Sequence, residues 1–562
     1  MVLTATIINI TQDQYMLPRV HLMYIDVIRE VNKIPTAQLI VLDGDAAKQK
    51  FSISNSNFFA PGQEIQIKLR DDKNKDQTIF EGIIVRHRIK TDKNGSYLTL
   101  DLKDQAFKLT TQRNSKVFKR QNDIEIITSI LESSEISNQI QLTIDEKIGK
   151  TLYKHQELVQ YYCTDWDFIL SRADANGQWV LIDNGQIKIQ IIPIEYGNKA
   201  DHTFNYGIDV IYDFEMEIDS RQLTNQVEIT AWDLNSQELS IIKKPPLAPP
   251  LVMPDPRPNI LNKSNNPLEW AQKIGSEPGK LVNSISLSEE EIKNWAAAKQ
   301  IKSRMSMIKG HIKVDGNGEI KLGNLIEIKG IGNHFNGTTI VTGVRHQVSE
   351  NGWLTDVQFG LSADWFSQRN DIVDTPAAGL VPAINGLHIG IVQDVKEADP
   401  EGHYRIQVWV PAFGEKKEAI VWARWSSPYA GKERGMFFKP EKDDEVVLGF
   451  FNDDPRQAVI LGSMYSKANP PNEVFVDNNS EDKIQGIVTK DGNKILLVDS
   501  ADPDFCNILD NLIKLSEEGI EINNKFDDNL IELNAQGIEI DTKQEVNIKT
   551  KSKGFNANKL QA

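Results

Sequence analysis

Leu512-Ile513-Lys514-Leu515-Ser516-Glu517-Glu518-Gly519-Ile520-Glu521-Ile522 returns as Leu530-Ile531-Glu532-Leu533-Asn534-Ala535-Gln536-Gly537-Ile538-Glu539-Ile540, an offset of 18 residues between Gly519 and Gly537. Each copy reads as two short strands around a polar turn, because apolar and polar residues alternate with period two. Lys494–Val498 and Val546–Lys549 look like degenerate neighbours. The alternation gives each strand an apolar row, including Leu515, Ile520 and Ile522, then Leu533, Ile538 and Ile540. Glu521, Glu532 and Glu539 alternate with these rows, as a solvated outer face would. A narrow ribbon of hairpins is marginal alone in water. It also leaves strand edges unpaired. Each buried Ile or Leu contributes roughly 1.5–3 kcal/mol. Three copies wound about one axis would cover the rows and pair the edges, giving a rod with the repeat logic of a solenoid. A single-chain β-solenoid or an ordinary antiparallel domain would also use such a pattern, and the repeat alone does not choose between them.

Working outward, residues 376–470 read as a small all-β module. Alternation is clear in Tyr404–Val410, and further strands fall at Ala419–Trp425, Glu445–Phe451 and Ala458–Gly462. About five strands in this length fit an OB-fold. Residues 1–115 also read as β, with Ala37–Asp43, Glu64–Leu69, Ile83–Ile89 and Tyr97–Leu102, and Lys93-Asn94-Gly95 as a hairpin turn. Residues 116–240 form an α/β insert. It has helices at 123–131 and 165–175, with Thr164 and Asp165 as capping candidates, and strands at 178–183 and 186–189. Residues 241–285 contain the Pro-rich run Lys244–Pro258, which excludes a central strand or helix interior and suggests a stiff connector. Residues 286–375 open with a helix around Trp295, Ser288 and Glu291 forming a capping box, and return to strands over 311–361. Residues 471–562 carry the repeat. The fold class is mainly β with an α/β insert.

Composition narrows the function. The 562 residues carry a formal net charge of −16, which argues against general nucleic-acid binding and against adsorption to anionic lipid. The two cysteines, Cys163 and Cys506, do not make a disulfide framework, so folding in a reducing cytoplasm is expected. No apolar run is long enough to cross a bilayer as a helix. Met1–Thr6 lacks a basic flank, so no secretory leader is expected. The nine histidines are scattered, without metal-ligand spacing. Gly275–Lys280 is one residue short of a phosphate loop and contains Pro278. Asp165 and Asp167 diverge on a helix, which favours capping over glycoside cleavage. Trp409, Trp422 and Trp425 suit core or subunit packing better than a stacking platform, since the odd separation of Trp422 and Trp425 puts them on opposite strand faces. No catalytic, cofactor-binding or metal residue is assigned.

Several stretches in order resemble the VgrG-type spike proteins of contractile injection systems and the related phage hub-plus-needle proteins. They are Glu30–Pro35 with Leu42–Asp45, then Gln160–Gly177, then Gly386–His388, Asp399–Gly402, Trp422–Arg424, Ala430–Gly431, Gly435–Pro440 and Asp453–Arg456. The resemblance implies a homotrimer with two hub barrels per subunit, an OB-fold neck and an intertwined β-rod. A sixfold tube would then meet a threefold needle, and the protein would be structural rather than enzymatic. It implies tube and baseplate subunits as partners, and a PAAR-type tip protein docked near Leu560, Gln561 and Ala562. Any effector cargo would be separate, because the rod is short and no toxin or lysozyme domain follows it. Membrane contact would be transient, and the protein, synthesised in the cytoplasm, would be part of the particle and delivered outside the cell or into the target on firing. A tail-associated glycan hydrolase, or a receptor-binding fibre built on a β-repeat, is the other reading.

Overall fold

The strand Leu22–Glu30 pairs with Thr36–Leu42 on one side and with Gly337–Ser349 on the other, joining the start of the chain to a segment some three hundred residues later. The computed structural model describes residues 4–542 except 18–19, 46, 71–74, 94, 135–136, 147, 149–152, 192–198, 225–226, 234–237, 245–272, 275–278, 284–286, 333–334, 373–374, 394–397, 477–483, 493, 499–510, 517–518, 525–528 and 535–536. The Pro-rich run beyond Lys244 and the residues Leu560, Gln561 and Ala562 lie outside the described residues. The chain forms two units, Met1–Asp374 and Thr375–Ala562, and is mainly β.

In the first unit a 13-stranded sheet runs from Ile211–Ile218 through Ile308–Asp315, Gly352–Phe359 and Gly337–Ser349 to Leu22–Glu30. It continues through Thr36–Leu42, Gly95–Lys103, Gln77–Asp92 and Glu64–Arg70 to the N-terminal strands. Alternation explains its two cores. Ile25, Val27, Leu39, Ile65, Ile67 and Leu100 are buried on one stretch, and Ile312, Ile326, Val344, Val357 and Phe359 on the other. Gly82 and Gly310 sit where strands press closest. A Cβ on either would meet a backbone carbonyl at 2.3 Å or 2.1 Å. The strand Gly95–Lys103 follows the expected hairpin turn, with Asp92 opposite Gly95.

Among the described residues, three longer helices pack mainly against the smaller sheets of this unit. Helix α1 spans Asp123–Ser133, α2 Asp165–Ala175 and α3 Glu289–Met305. Both α1 and α3 open on complete capping boxes, Asn122 with Glu125 and Ser288 with Glu291. Helix α2 is capped by Thr164 alone, whose Oγ1 accepts from the Asp167 amide at 3.1 Å. Asp167 in turn accepts the Thr164 hydroxyl, and Asp165 accepts from Asn114 and Gln160. The two acids are thus used in local bonding. Trp166, Phe168, Ile169 and Leu170 fill one core with Ile126, Ile127 and Val180.

An ionic cluster fastens these helices together. Asp123 of α1 accepts from Arg172 of α2 at 2.6 and 3.1 Å, from Asn176 at 2.8 Å and from His155 at 3.2 Å. The other ring nitrogen of His155 lies 3.4 Å from Glu291 of α3. Hydrogen bonds to Asp123 and Glu291 push His155 up to about 9. Burial opposes ionisation of Asp123, but its bonds to His155 and Arg172 outweigh burial and hold the carboxyl well below the usual range.

In the second unit five strands close a barrel in the order His388–Val392, Ile406–Trp409, Ile420–Trp425, Ala458–Ser463 and Glu445–Phe450. Its interior is Val392, Ile406, Val408, Ala423, Val446, Leu448 and Ile460. A two-stranded hairpin, Ile484–Val488 with Lys494–Val498, follows. The last described sheet is a four-stranded antiparallel meander: Asn511–Ser516, Gly519–Asn524, Asn529–Asn534 and Gly537–Asp541.

Candidate functional site

The meander's register decides what it can do. Ile513 lies opposite Ile522, Ile522 opposite Ile531 and Ile531 opposite Ile540. Leu515 lies opposite Ile520, Ile520 opposite Leu533 and Leu533 opposite Ile538. Positions two apart on a strand share a face, and so do cross-strand partners. Eight of the meander's ten aliphatic positions therefore fall on one face, and Leu512 and Leu530 fall on the other. Leu515, Ile520, Ile522, Leu533, Ile538 and Ile540, singled out from the sequence, are six of the eight. Ile513 and Ile531 complete the first of the two rows, and the period-two alternation could have found them, since they stand two residues from Leu515 and Leu533.

The opposite face carries the charged positions, beside Leu512 and Leu530. Lys514 pairs with Glu521, Glu521 with Glu532 and Glu532 with Glu539. Within one chain the apolar face stays open at its last strand, where Ile538 is 71% and Ile540 45% exposed.

The barrel's loops are built from the motifs that carry the family resemblance. Asp399 accepts from the amides of Glu401, His403 and Arg405 at 3.1, 3.0 and 3.1 Å, and from the Arg405 guanidinium at 3.0 and 2.8 Å. The Asp399–Arg405 loop is therefore knotted around one carboxylate. Asp454 holds its own turn in the same way, accepting from the Arg456 amide at 2.9 Å and from its guanidinium. Asn452 and Asp453 there adopt left-handed backbone, which short polar side chains tolerate. Trp425 meets Phe437 edge to face at 5.1 Å and packs against the barrel core. Trp409 donates its indole N–H to Gly414 O at 3.0 Å. On the outer face Ile391, Trp409 and Ile420 stand in one cross-strand row. Lys490, just past the strand Ile484–Val488, bonds Glu441 of the barrel at 2.6 Å.

Among the described residues no group of three or more His, Cys, Asp or Glu could hold a metal ion. Among them, too, no helix is long and apolar enough to cross a membrane.

Residues 3–350 match the family model of the Alg8 N-terminal domain, well over half of the chain. The chain belongs to that family. In this member of the Alg8 N-terminal family, residues 388–465 match a second model, the type VI secretion system/phage-baseplate injector OB domain. That stretch holds the closed barrel and its anchored loops. Similar solved structures include a tail protein from Neisseria meningitidis, at 13% identity and a TM-score of 0.45, covering 65% of this chain and 98% of that one. An E. coli component of the type VI secretion system is 11% identical with a TM-score of 0.40, covering 83% of this chain and all of its own. A Francisella PdpA-VgrG complex is 10% identical with a TM-score of 0.39, covering 97% and 88%.

Proposed function

We propose that this member of the Alg8 N-terminal family is the homotrimeric spike and hub of a contractile injection system, a structural part without turnover. Residues 1–115 and 286–375 would supply two hub barrels per subunit. The 116–240 insert and the 241–285 connector would lie between them, with 376–470 as neck and 471–562 as rod. Three subunits would present six barrels to a sixfold tube and one threefold needle to the target envelope, which the needle punctures on firing. Tube and baseplate subunits are its partners. A PAAR-type tip protein would dock at Leu560, Gln561 and Ala562, and effector cargo would travel as a separate chain.

The observation that supports this most is the one-sided meander, with eight aliphatic positions on one face and Ile538 and Ile540 uncovered within one chain. Burying two such residues per subunit gains roughly 1.5–3 kcal/mol each, and three subunits multiply that gain. The injector OB domain upstream supplies the class of machine. Light scattering on the purified chain tests it. A mass of three times 63.5 kDa is expected, and Ile538→Glu with Ile540→Glu should return it to single chains whose barrel still folds. A wild-type monomer, or a double variant that stays trimeric, overturns the reading. Cleavage of peptidoglycan by the wild-type protein would favour a glycan hydrolase instead.

A further inference from the structure

Where the hub sheet meets the insert, a cavity of about 180 Å³ is lined by side chains from three parts of the first unit. Arg29 comes from the strand Leu22–Glu30, Asp183 and Lys188 border the Gln178–Asp183/Gln186–Ile191 hairpin, and Lys321 and His346 come from the later hub strands and their loops. Arg29 is buried, with 6% of its surface exposed. One terminal nitrogen bonds Asp183 at 2.7 Å, and the other bonds Asn184 at 2.9 Å and the Ile79 carbonyl. Its Nε, also buried, has no partner. A buried donor without a partner costs about 1–3 kcal/mol, so such a group calls for an occupant.

Charge points the same way. Three cationic side chains line the cavity, Arg29, Lys188 and Lys321, against the single carboxylate of Asp183. Asp183 is already engaged by Arg29. Burial and the nearby Arg29 both push the Lys321 ammonium down. His346 accepts the Trp353 indole N–H on Nδ1 at 3.3 Å, so its neutral ring carries the proton on Nε2 and adds a donor rather than an acceptor. Burial pushes His346 down to about 3, which keeps that ring neutral at ordinary pH.

We infer that this cavity is a binding site for a small oxyanion of the phosphate class. A phosphate oxygen would take the orphaned Arg29 Nε–H, and its charge would relieve the repulsion between Arg29 and Lys321. At about 30 Å³ per water, the space equals roughly six waters. A space of about 180 Å³ suits inorganic phosphate better than a whole nucleotide, since pockets for drug-sized ligands run from about 300 Å³. The bound ion would bridge the first hub strands, the insert and the later hub strands, and this inference stands whether or not the chain trimerises.

The test is a calorimetric melt of the full-length protein against inorganic phosphate, with chloride replacing it at constant ionic strength and ATP as the bulky phosphate arm. A melting temperature that rises with phosphate as a binding isotherm requires, with no rise from ATP, is expected. Lys321→Gln should weaken the apparent affinity roughly tenfold or more, about 1.4 kcal/mol, while leaving the melt in chloride unchanged or raised. Lys188→Gln, at an exposed position, serves if the first variant misfolds and should weaken affinity in the same direction. The absence of a phosphate-dependent rise, an equal rise from ATP, or an unchanged affinity in a folded lysine variant overturns the inference.

Discussion

The guanidinium of Arg345 grips both carboxylate oxygens of Asp26, at 2.7 and 2.6 Å, across a chain separation of 319 residues. The pair lies on the two strands that splice the first part of the 13-stranded sheet to the last, with Gln347 bonding Tyr24 beside it at 2.8 Å. Arg345 is still about one-third exposed, so solvent weakens the pair. Arg345→Met is expected to lower the stability of the first unit by about 1–2 kcal/mol. A double-mutant cycle with Asp26→Asn should leave a coupling near 1 kcal/mol. Denaturant melts of the four proteins check this, and additive losses would mean that the strands hold together without the pair.

The His155 cluster predicts a pH dependence. The folded pKa of His155 is raised from 6.5 to about 9 by its bonds to Asp123 and Glu291. The unfolded chain therefore releases this proton first as pH rises. The stabilisation is fully present below pH 6.5 and is lost as pH climbs through 9. Melts from pH 6 to 10 should show stability falling over that window, and His155→Gln should flatten the fall while lowering stability at pH 6. Asp123 behaves oppositely. Its carboxyl is held well below the usual range, so its contribution is present at and above ordinary carboxylate pKa values and is lost only in strong acid.

What the sequence made legible was local. Thr164, Ser288 with Glu291, and the period-two runs in the barrel each announce themselves within a few residues, and they form caps and strands where that spacing puts them. The splice between Leu22–Glu30 and Gly337–Ser349 was not legible, because neither strand carries a mark of its partner. The same holds for the His155 cluster. Asp123, His155, Arg172 and Glu291 stand on four separate elements, and each taken alone reads as an ordinary charged or polar surface residue. Within the meander the aliphatic face was legible from alternation, whereas which residue lies opposite which across the strands was not.

Gly390 marks a point in the barrel where no side chain fits. A Cβ there would stand 2.4 Å from Val408 Cγ1 and 2.7 Å from Leu448 Cδ1, both in the closed core. Gly390→Ala therefore forces core side chains off their rotamers, at about 1–3 kcal/mol. A lower melting transition of the Thr375–Ala562 unit is expected, with the first unit's transition unchanged. The compensating variant Leu448→Val should recover part of the loss, which separates crowding from any general weakness of the strand.

The charged face of the meander carries its own repulsion. Glu521, Glu532 and Glu539 stand directly opposite one another on three successive strands, with Lys514 at one end of the row. Like charges directly opposite destabilise a sheet, and an opposite-charge pair gains roughly 0.2–1 kcal/mol. Glu532→Lys turns the row into lysine, glutamate, lysine, glutamate, replacing two repulsive pairings by two attractive ones. The variant is expected to be more stable than wild type by about 0.5–2 kcal/mol in low salt, with the gain shrinking as salt screens both states. In a trimer the gain would appear three times over, so dissociation by denaturant would shift more than unfolding of an isolated meander could. A destabilised Glu532→Lys would show that this row faces inward, with the Ile and Leu face turned to solvent.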